Sequence, residues 1–156
     1  MIKTRHQYQN TNRQIQIFQE ALTNARGQHY EEGSDEYLFQ QMDVAGLESQ
    51  LADLRAEAHH YEQLVSAPPS RIVAESFDEL PIALIKARIA LGMTQRELAE
   101  QLGVQEQQIQ RYEATDYASA SLQRIGQVIR ALNVQVREEI LLPRAKTVTD
   151  VVSVIE

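Results

Sequence analysis

Residues 94–113 read TQRELAEQLGVQEQQIQRYE, and this stretch decides the fold of the second half of the chain. Thr94 and Glu97 have the spacing of a capping box, in which each side chain bonds a backbone N–H of the helix's first turn. Apolar residues then recur at helical spacing as far as Gly103, which can adopt the left-handed backbone of a sharp turn. A second helix is expected over about 105–113. We therefore predict two short helices joined by a tight turn.

Two further helices flank this pair. The first has an apolar face that ends at Gly92, a residue typical of the position just after a helix. The last has a candidate N-cap at Ser119 or Ser121. The residues expected inside these flanking helices are Ile82, Ile85, Ile89, Leu122, Ile125, Val128, Ile129 and Leu132.

The segment from Gln95 to Tyr112 resembles the helix-turn-helix of the lambda-repressor (Cro/cI, XRE) family. The positions that match by size and polarity are Leu98, Ala99, Leu102, Gly103, Val104, Ile109 and Tyr112. Ala99 must be small because the two helices cross close to it, and Gly103 permits the tight connection. The resemblance covers residues 79–133 and implies a domain that reads the major groove of double-stranded DNA.

The second helix of the pair carries the predicted base contacts, because a recognition helix enters the groove with its N-terminal end leading. Its expected outward positions are Gln105, Glu106, Gln107, Gln110 and Arg111. Glutamine can pair with adenine, arginine with guanine, and glutamate can accept from cytosine N4. The resemblance implies base contacts by all of them except Gln110, and a phosphate contact by Gln95. The alternative is a polar helix face that is merely solvated.

The resemblance implies two further features. The family commonly pairs an arginine of its first helix with a glutamate that ends the recognition helix, and these positions hold Arg88 and Glu113. The loop that follows often carries Asn-Gly, whereas this chain has Ala114-Thr115, which leaves the loop conformation open. The residues assigned to phosphate contacts in this loop are Thr115, Tyr117 and Ser119.

The first half of the chain predicts two long helices. Thr11 and Gln14 have capping-box spacing before a helix over 12–26, and Ser34 caps a second, longer helix. The apolar positions of the second helix, with heptad-like spacing, are Tyr37, Val44, Leu47, Leu51, Leu54, Ala58, Tyr61 and Val65. This stripe must pack on the first helix as an antiparallel hairpin, on a second copy of the chain, or on both. We interpret residues 1–66 as a hairpin or coiled-coil arm for scaffolding or dimerisation, with a partner-binding surface as the alternative.

Residues 67–75 predict a linker or a short strand. Pro68 and Pro69 cannot continue a helix and favour an extended chain. Residues 71–74 could form a strand that pairs with a second strand over 134–142.

Ser76 and Glu79 repeat the capping-box spacing and open the predicted helix-turn-helix domain over 76–142. The tail, residues 143–156, is rich in valine and is either a frayed end or a segment that docks on a partner or another subunit. The predicted fold is therefore mainly all-α: a long N-terminal helical hairpin and a lambda-repressor-like domain, with short flanking strands.

The net charge of −7 lies almost entirely in the first half of the chain. Residues 1–80 carry 6 basic and 13 acidic groups, whereas residues 81–133 carry 6 basic and 5 acidic groups. The near-neutral second half can meet phosphate, while the acidic half would be held away from it. The chain has no cysteine, no secretory signal and no apolar run of membrane-spanning length, so we expect a cytoplasmic protein.

Enzyme chemistry is not indicated. His59 and His60 point about 100° apart on a helix and cannot easily share a metal ion. No HExxH, phosphate-binding loop, GxGxxG or nucleophile-elbow motif occurs. We therefore predict neither a metal, nor a cofactor, nor catalysis.

Three functions are compatible with this sequence. The first is a sequence-specific DNA-binding regulator, expected to be a repressor that acts as a homodimer, since one recognition helix covers only half a site. The second is an antitoxin that neutralises a protein toxin and represses its own operon, because the arrangement is similar to HigA-type antitoxins and an acidic arm suits a basic toxin. The third is an adaptor whose helix-turn-helix no longer binds DNA.

Overall fold

The computed structural model describes residues 1–142, so the predicted tail 143–156 lies outside it. Two long helices come first, α1 (Arg5–Gly27) and α2 (Asp35–Ser66). The four shorter helices that follow are α3 (Leu80–Ala90), α4 (Gln95–Leu102), α5 (Glu106–Ala114) and α6 (Leu122–Ala131). A one-turn 3₁₀ helix, Phe77–Glu79, leads directly into α3. The prediction of a mainly α-helical fold is confirmed, and the helices within this range are all too short or too polar to cross a membrane.

The prediction of two flanking strands is wrong. Residues 71–74 and 134–142 have no regular structure and do not pair with each other. Val134 packs against the domain core, but Ile140 and the two leucines after it are more than 80% exposed. Alternating apolar residues form a strand only where a neighbouring strand accepts their backbone hydrogen bonds, and within residues 1–142 neither stretch has such a neighbour.

The arm is an antiparallel hairpin in which α1 packs along α2. Ser34 caps α2 as predicted, its hydroxyl accepting the Tyr37 N–H at 3.1 Å. Near the open end of the hairpin, the rings of Tyr8 and Tyr61 stack with centroids 5.1 Å apart. The apolar stripe of α2 therefore packs on α1, as the predicted hairpin requires.

The capping pairs predicted at Thr11 and Ser76 are wrong. α1 begins about two turns earlier. Its N-cap is Thr4, whose hydroxyl accepts a backbone N–H three residues on at 3.1 Å. Thr11 is buried inside the helix. Ser76 precedes a 3₁₀ turn and makes no side-chain cap, and the Glu79 carboxylate instead accepts the N–H of Glu75 at 2.8 Å. The spacing of a capping box can recur by chance, so it does not by itself show which residue caps a helix.

The end of α2 joins the arm to the second half of the chain. Leu64 is 5% exposed and packs into the same apolar cluster as Leu80, Leu84 and Ile85. Val65, which the heptad spacing placed inward, is 53% exposed. The partner of α2 changes here from α1 to α3, so the buried face of the helix rotates by one residue. The end of α2 is therefore packed into the core of the domain.

Replacing Leu64 with alanine should destabilise the whole protein by about 2–4 kcal/mol, because it opens a cavity in that core. The matched variant Val65→Ala removes an exposed side chain from the next position and should change stability by less than about 0.5 kcal/mol. Urea unfolding followed by far-UV circular dichroism measures both. Equal effects from the two variants would contradict the packing described here.

Candidate nucleic-acid interface

α4 begins with the predicted capping box. The Thr94 hydroxyl accepts the Glu97 N–H at 3.1 Å, and the Glu97 carboxylate accepts the Thr94 N–H at 2.7 Å. The same carboxylate also accepts the Thr94 hydroxyl proton at 2.8 Å. The hydrogen bond from the Thr94 N–H has the largest effect on the Glu97 carboxyl, followed by the bond from the Thr94 hydroxyl, and together they hold the pKa of Glu97 below its ordinary value. The start of α4 is therefore fixed by a local, charge-assisted pair of contacts.

The turn between α4 and α5 depends on Gly103. Its φ is +65°, a left-handed conformation that residues with a Cβ rarely adopt. The turn is closed by the N–H of Val104, which donates to the Ala99 carbonyl at 3.0 Å. Ala99 is 2% exposed at the place where the two helices meet. The small residue and the glycine have the roles that the sequence predicted for them.

α5 is presented on an apolar support. Its inward residue Ile109 and the facing Leu98 of α4 are completely buried. The residues predicted to point outward are all exposed: Gln105, Glu106, Gln107, Gln110 and Arg111. The Gln110 amide donates to the Glu106 carboxylate at 3.0 Å. Within residues 1–142, no hydrogen bond joins the side chains of Gln105, Gln107 or Arg111 to another group, so their polar atoms face solvent.

A depression at the start of α5 gathers several of these side chains. Its walls are formed by Gln105, Gln107, Gln108, Arg111, Tyr112 and Ser119. Gln108 and Tyr112 were not among the predicted site residues. The Gln108 amide donates to the Tyr112 hydroxyl at 2.9 Å, a contact between positions four apart on one helix face. That spacing was the signal in the sequence, but Tyr112 was assigned only to the family's core pattern and Gln108 was given no role.

The predicted ion pair between Arg88 and Glu113 is confirmed, and it is buried. Arg88 Nε and Nη2 donate to the two carboxylate oxygens of Glu113 at 2.6 and 2.7 Å. The two residues are 3% and 0% exposed. Arg88 Nη1 also donates to the Met93 carbonyl at 2.7 Å. The pair ties the end of α5 to α3 and to the segment that leads into α4.

Gln95 belongs to the same network. Its amide donates to the second carboxylate oxygen of Glu113 at 2.8 Å, and the side chain is only partly exposed. One of its two amide hydrogens is therefore used inside the protein. The other hydrogen is the one that the predicted phosphate contact would need.

The loop after α5 has two consecutive left-handed residues, Asp116 with φ +47° and Tyr117 with φ +59°. Tyr117 is 3% exposed and stacks on Tyr112 with ring centroids 5.7 Å apart. Burial, helped by the charge of Glu113, raises the pKa of the Tyr117 phenol. The predicted phosphate contact by Tyr117 is therefore wrong, since its ring is part of the core.

The other two predicted phosphate residues of this loop are exposed. The Thr115 hydroxyl donates to the Arg111 carbonyl at 3.2 Å, and Ser119 lies at the rim of the depression on α5. Ser121 is the N-cap of α6, where its hydroxyl accepts the Arg124 N–H at 3.2 Å. The choice between Ser119 and Ser121 as the cap is thus decided for Ser121.

Comparison with known families agrees with this geometry. Residues 84–138 match the family model described as Helix-turn-helix. This segment is a helix-turn-helix domain. The resemblance to the lambda-repressor-like family is thereby confirmed, and the family is one of DNA-binding domains. The match covers about a third of the chain and includes neither the arm, residues 1–66, nor the segment over 67–75 that follows it. No curated protein and no solved structure shows significant similarity to the chain.

Removing one partner of the buried ion pair should strongly destabilise the folded domain. Arg88→Met leaves the Glu113 carboxylate buried without its cation, and we expect a loss of about 3–5 kcal/mol in the free energy of unfolding. The double variant Arg88→Met, Glu113→Leu removes both charges and should recover much of that loss. Urea unfolding of the three proteins tests this. A double variant as unstable as the single one would contradict it.

The capping box should make the stability of the domain sensitive to acid. Because the folded pKa of Glu97 lies below its unfolded value, the ionised carboxylate stabilises the fold above the unfolded pKa. This contribution is lost as the pH falls through the folded pKa. Glu97→Gln should therefore be less stable than the wild type near neutral pH, and the difference should disappear in strong acid. Thermal unfolding across that range measures it, and a difference that does not depend on pH would contradict the linkage.

Proposed function

We propose that the protein is a sequence-specific, double-stranded DNA-binding transcription regulator that represses as a homodimer. The observation that carries this proposal is the outward face of α5. Gln105, Gln107 and Arg111 are exposed and make no hydrogen bond to another side chain of residues 1–142, whereas Ile109 and Glu113 on the opposite face of the helix are fully buried. A helix held rigidly with its polar atoms free is suited to meeting base edges in the major groove.

The residue types on this face give the expected specificity. Arg111 can donate two hydrogen bonds to guanine O6 and N7, and Gln105 and Gln107 can each pair bidentately with adenine. Glu106 can accept from cytosine N4. The second amide hydrogen of Gln95, with Thr115 and Ser119, is proposed to contact phosphate.

The charge distribution sets how the protein would meet the duplex. The helix-turn-helix domain is nearly neutral, so it must depend on a few specific contacts and not on a broad basic surface. The arm carries most of the negative charge and would be repelled by the phosphates. A dimer places two copies of α5 in successive major grooves, about 10 base pairs apart.

Arg111→Ala should weaken binding to the operator by about 5- to 100-fold and relax base preference at one position of each half-site. The control Arg71→Ala removes the same charge from an exposed position in residues 67–75, outside the helix-turn-helix match, and should change the affinity much less. Fluorescence anisotropy with the duplex upstream of the chain's own gene, at two salt concentrations, measures both. Sedimentation of the free protein should show a dimer. A wild type that binds no duplex would favour the adaptor reading.

A second function, neutralisation of a protein toxin, is favoured by the start of α2. Leu38, Phe39 and Met42 are 55%, 65% and 70% exposed, and their spacing places them side by side on the outer face of the hairpin. Asp35, Glu36 and Asp43 belong to the same stretch of α2, and two glutamates, Glu31 and Glu32, lie in the loop before it. A patch of this kind fits a partner that has an apolar groove within a basic surface.

The antitoxin function predicts a specific complex with the small basic protein of an adjacent reading frame. Leu38→Asp with Met42→Asp should abolish copurification of the two proteins while leaving operator affinity unchanged, because α5 is not touched. The control Ser49→Asp adds a charge to the same outer face beyond the patch and should preserve the complex. A complex that survives the double substitution would exclude this patch as the contact.

A further inference from the structure

The segment before α1 lies against the far end of the recognition helix, 110 residues away in the chain. The ammonium group of Lys3 donates to the main-chain carbonyl of Glu113 and, at 2.7 Å, to the carboxylate of Asp116. The main-chain carbonyl of Lys3 accepts from Arg88 Nη2 at 2.8 Å. Ile2 beside it is 4% exposed, so the segment is anchored by packing as well.

The loop that Lys3 holds is an unfavourable one. Asp116 and Tyr117 are both left-handed, although neither is glycine, and such residues persist only where the surroundings fix them. Tyr117 is fixed by its burial and by its N–H, which donates to the Tyr112 carbonyl at 2.7 Å. For Asp116, the side-chain contact with Lys3 is the long-range restraint that the structure describes.

The Lys3 ammonium group also offsets the negative charge of two groups, one partial and one full. The Glu113 carbonyl belongs to the last turn of α5, where carbonyls lack helical partners and carry the negative end of the helix dipole. The Asp116 carboxylate is half exposed and lies next to Thr115, a proposed phosphate contact. Without a cation beside it, this carboxylate would repel an approaching phosphate. Lys3 itself is only 15% exposed, so it acts on the loop and does not reach outward.

We propose that Lys3 is a positioning residue for the DNA-reading surface. It holds the turn over residues 115–119, in which Asp116 and Tyr117 are left-handed, and it neutralises Asp116. A segment outside the helix-turn-helix match therefore completes the interface. This inference rests on the proposed DNA-binding function. Lys3 stands just before Thr4, the N-cap of α1, so this segment connects the hairpin to the loop after α5.

Lys3→Met in the full chain tests the proposal, since it keeps the length of the side chain and the main-chain carbonyl but removes the ammonium group. We expect faster hydrogen exchange at the amides of residues 115–119 and an operator affinity about five-fold weaker. The matched control Arg5→Met removes one positive charge two residues away from an exposed position with no ion pair among the described residues. It should leave both measurements near the wild-type values, and Lys3→Arg should restore most of the binding.

The partner residue gives a second, independent readout. Asp116→Asn removes the carboxylate while keeping a residue that tolerates the left-handed region. If Lys3 acts through Asp116, the effect of Lys3→Met on affinity should shrink in the Asp116→Asn background. Effects that simply multiply would overturn a coupling between the two residues.

The outcomes separate this inference from the proposed function. Unchanged exchange at residues 115–119 in Lys3→Met would overturn the claim that Lys3 holds the loop. Faster exchange with an affinity equal to that of Arg5→Met would overturn the positioning role while leaving the DNA-binding function in place. A wild type that binds no duplex would overturn the proposed function and the positioning role with it, whereas the exchange data would still decide whether Lys3 holds the loop.

Discussion

The buried pair of Arg88 and Glu113 is the interaction on which the second half of the molecule depends. Four hydrogen bonds leave the guanidinium group, two to the carboxylate and two to main-chain carbonyls of Met93 and Lys3. Gln95 adds a further bond to the same carboxylate. Charges taken out of water are tolerated only when their hydrogen-bonding groups are satisfied, and this requirement fixes α3, the start of α4 and the end of α5 relative to one another.

On this rigid support, α5 has one buried face and one exposed face. Its inner face is committed to the core through Ile109 and the Glu113 carboxylate. On its outer face, Gln110 bonds to Glu106, whereas the side chains of Gln105, Gln107 and Arg111 form no hydrogen bond within residues 1–142. The acidic arm shares the core through Leu64, so it is a fixed part of the molecule and not a loosely attached segment. Any partner that binds the arm would be held at a defined place relative to α5.

Errors in the sequence-based predictions have a common physical cause. The spacing of a capping box at Thr11 and at Ser76 was real, but Thr11 is buried inside α1 and Ser76 precedes a 3₁₀ turn, so neither side chain caps an α-helix. The heptad spacing predicts the inward face of α2 as far as the helix packs on α1. At its end α2 packs on α3 instead, and there Leu64 is buried in place of the predicted Val65. Tyr117 was assigned to a phosphate contact from the family resemblance, but its backbone is left-handed and its ring is buried in the core. Local patterns carry no information about which neighbour packs against them.

The sequence by itself determined the helices, the turn at Gly103 and the outward residues of α5, because periodicity, capping and glycine conformation act within a few residues. It also indicated the ion pair through family resemblance. Only the tertiary structure decided how the arm meets the domain, why neither flanking stretch forms a strand within residues 1–142, and that Lys3 reaches the loop after α5. Those contacts join residues up to 113 positions apart, and the fold alone brings such distant groups into hydrogen-bonding distance.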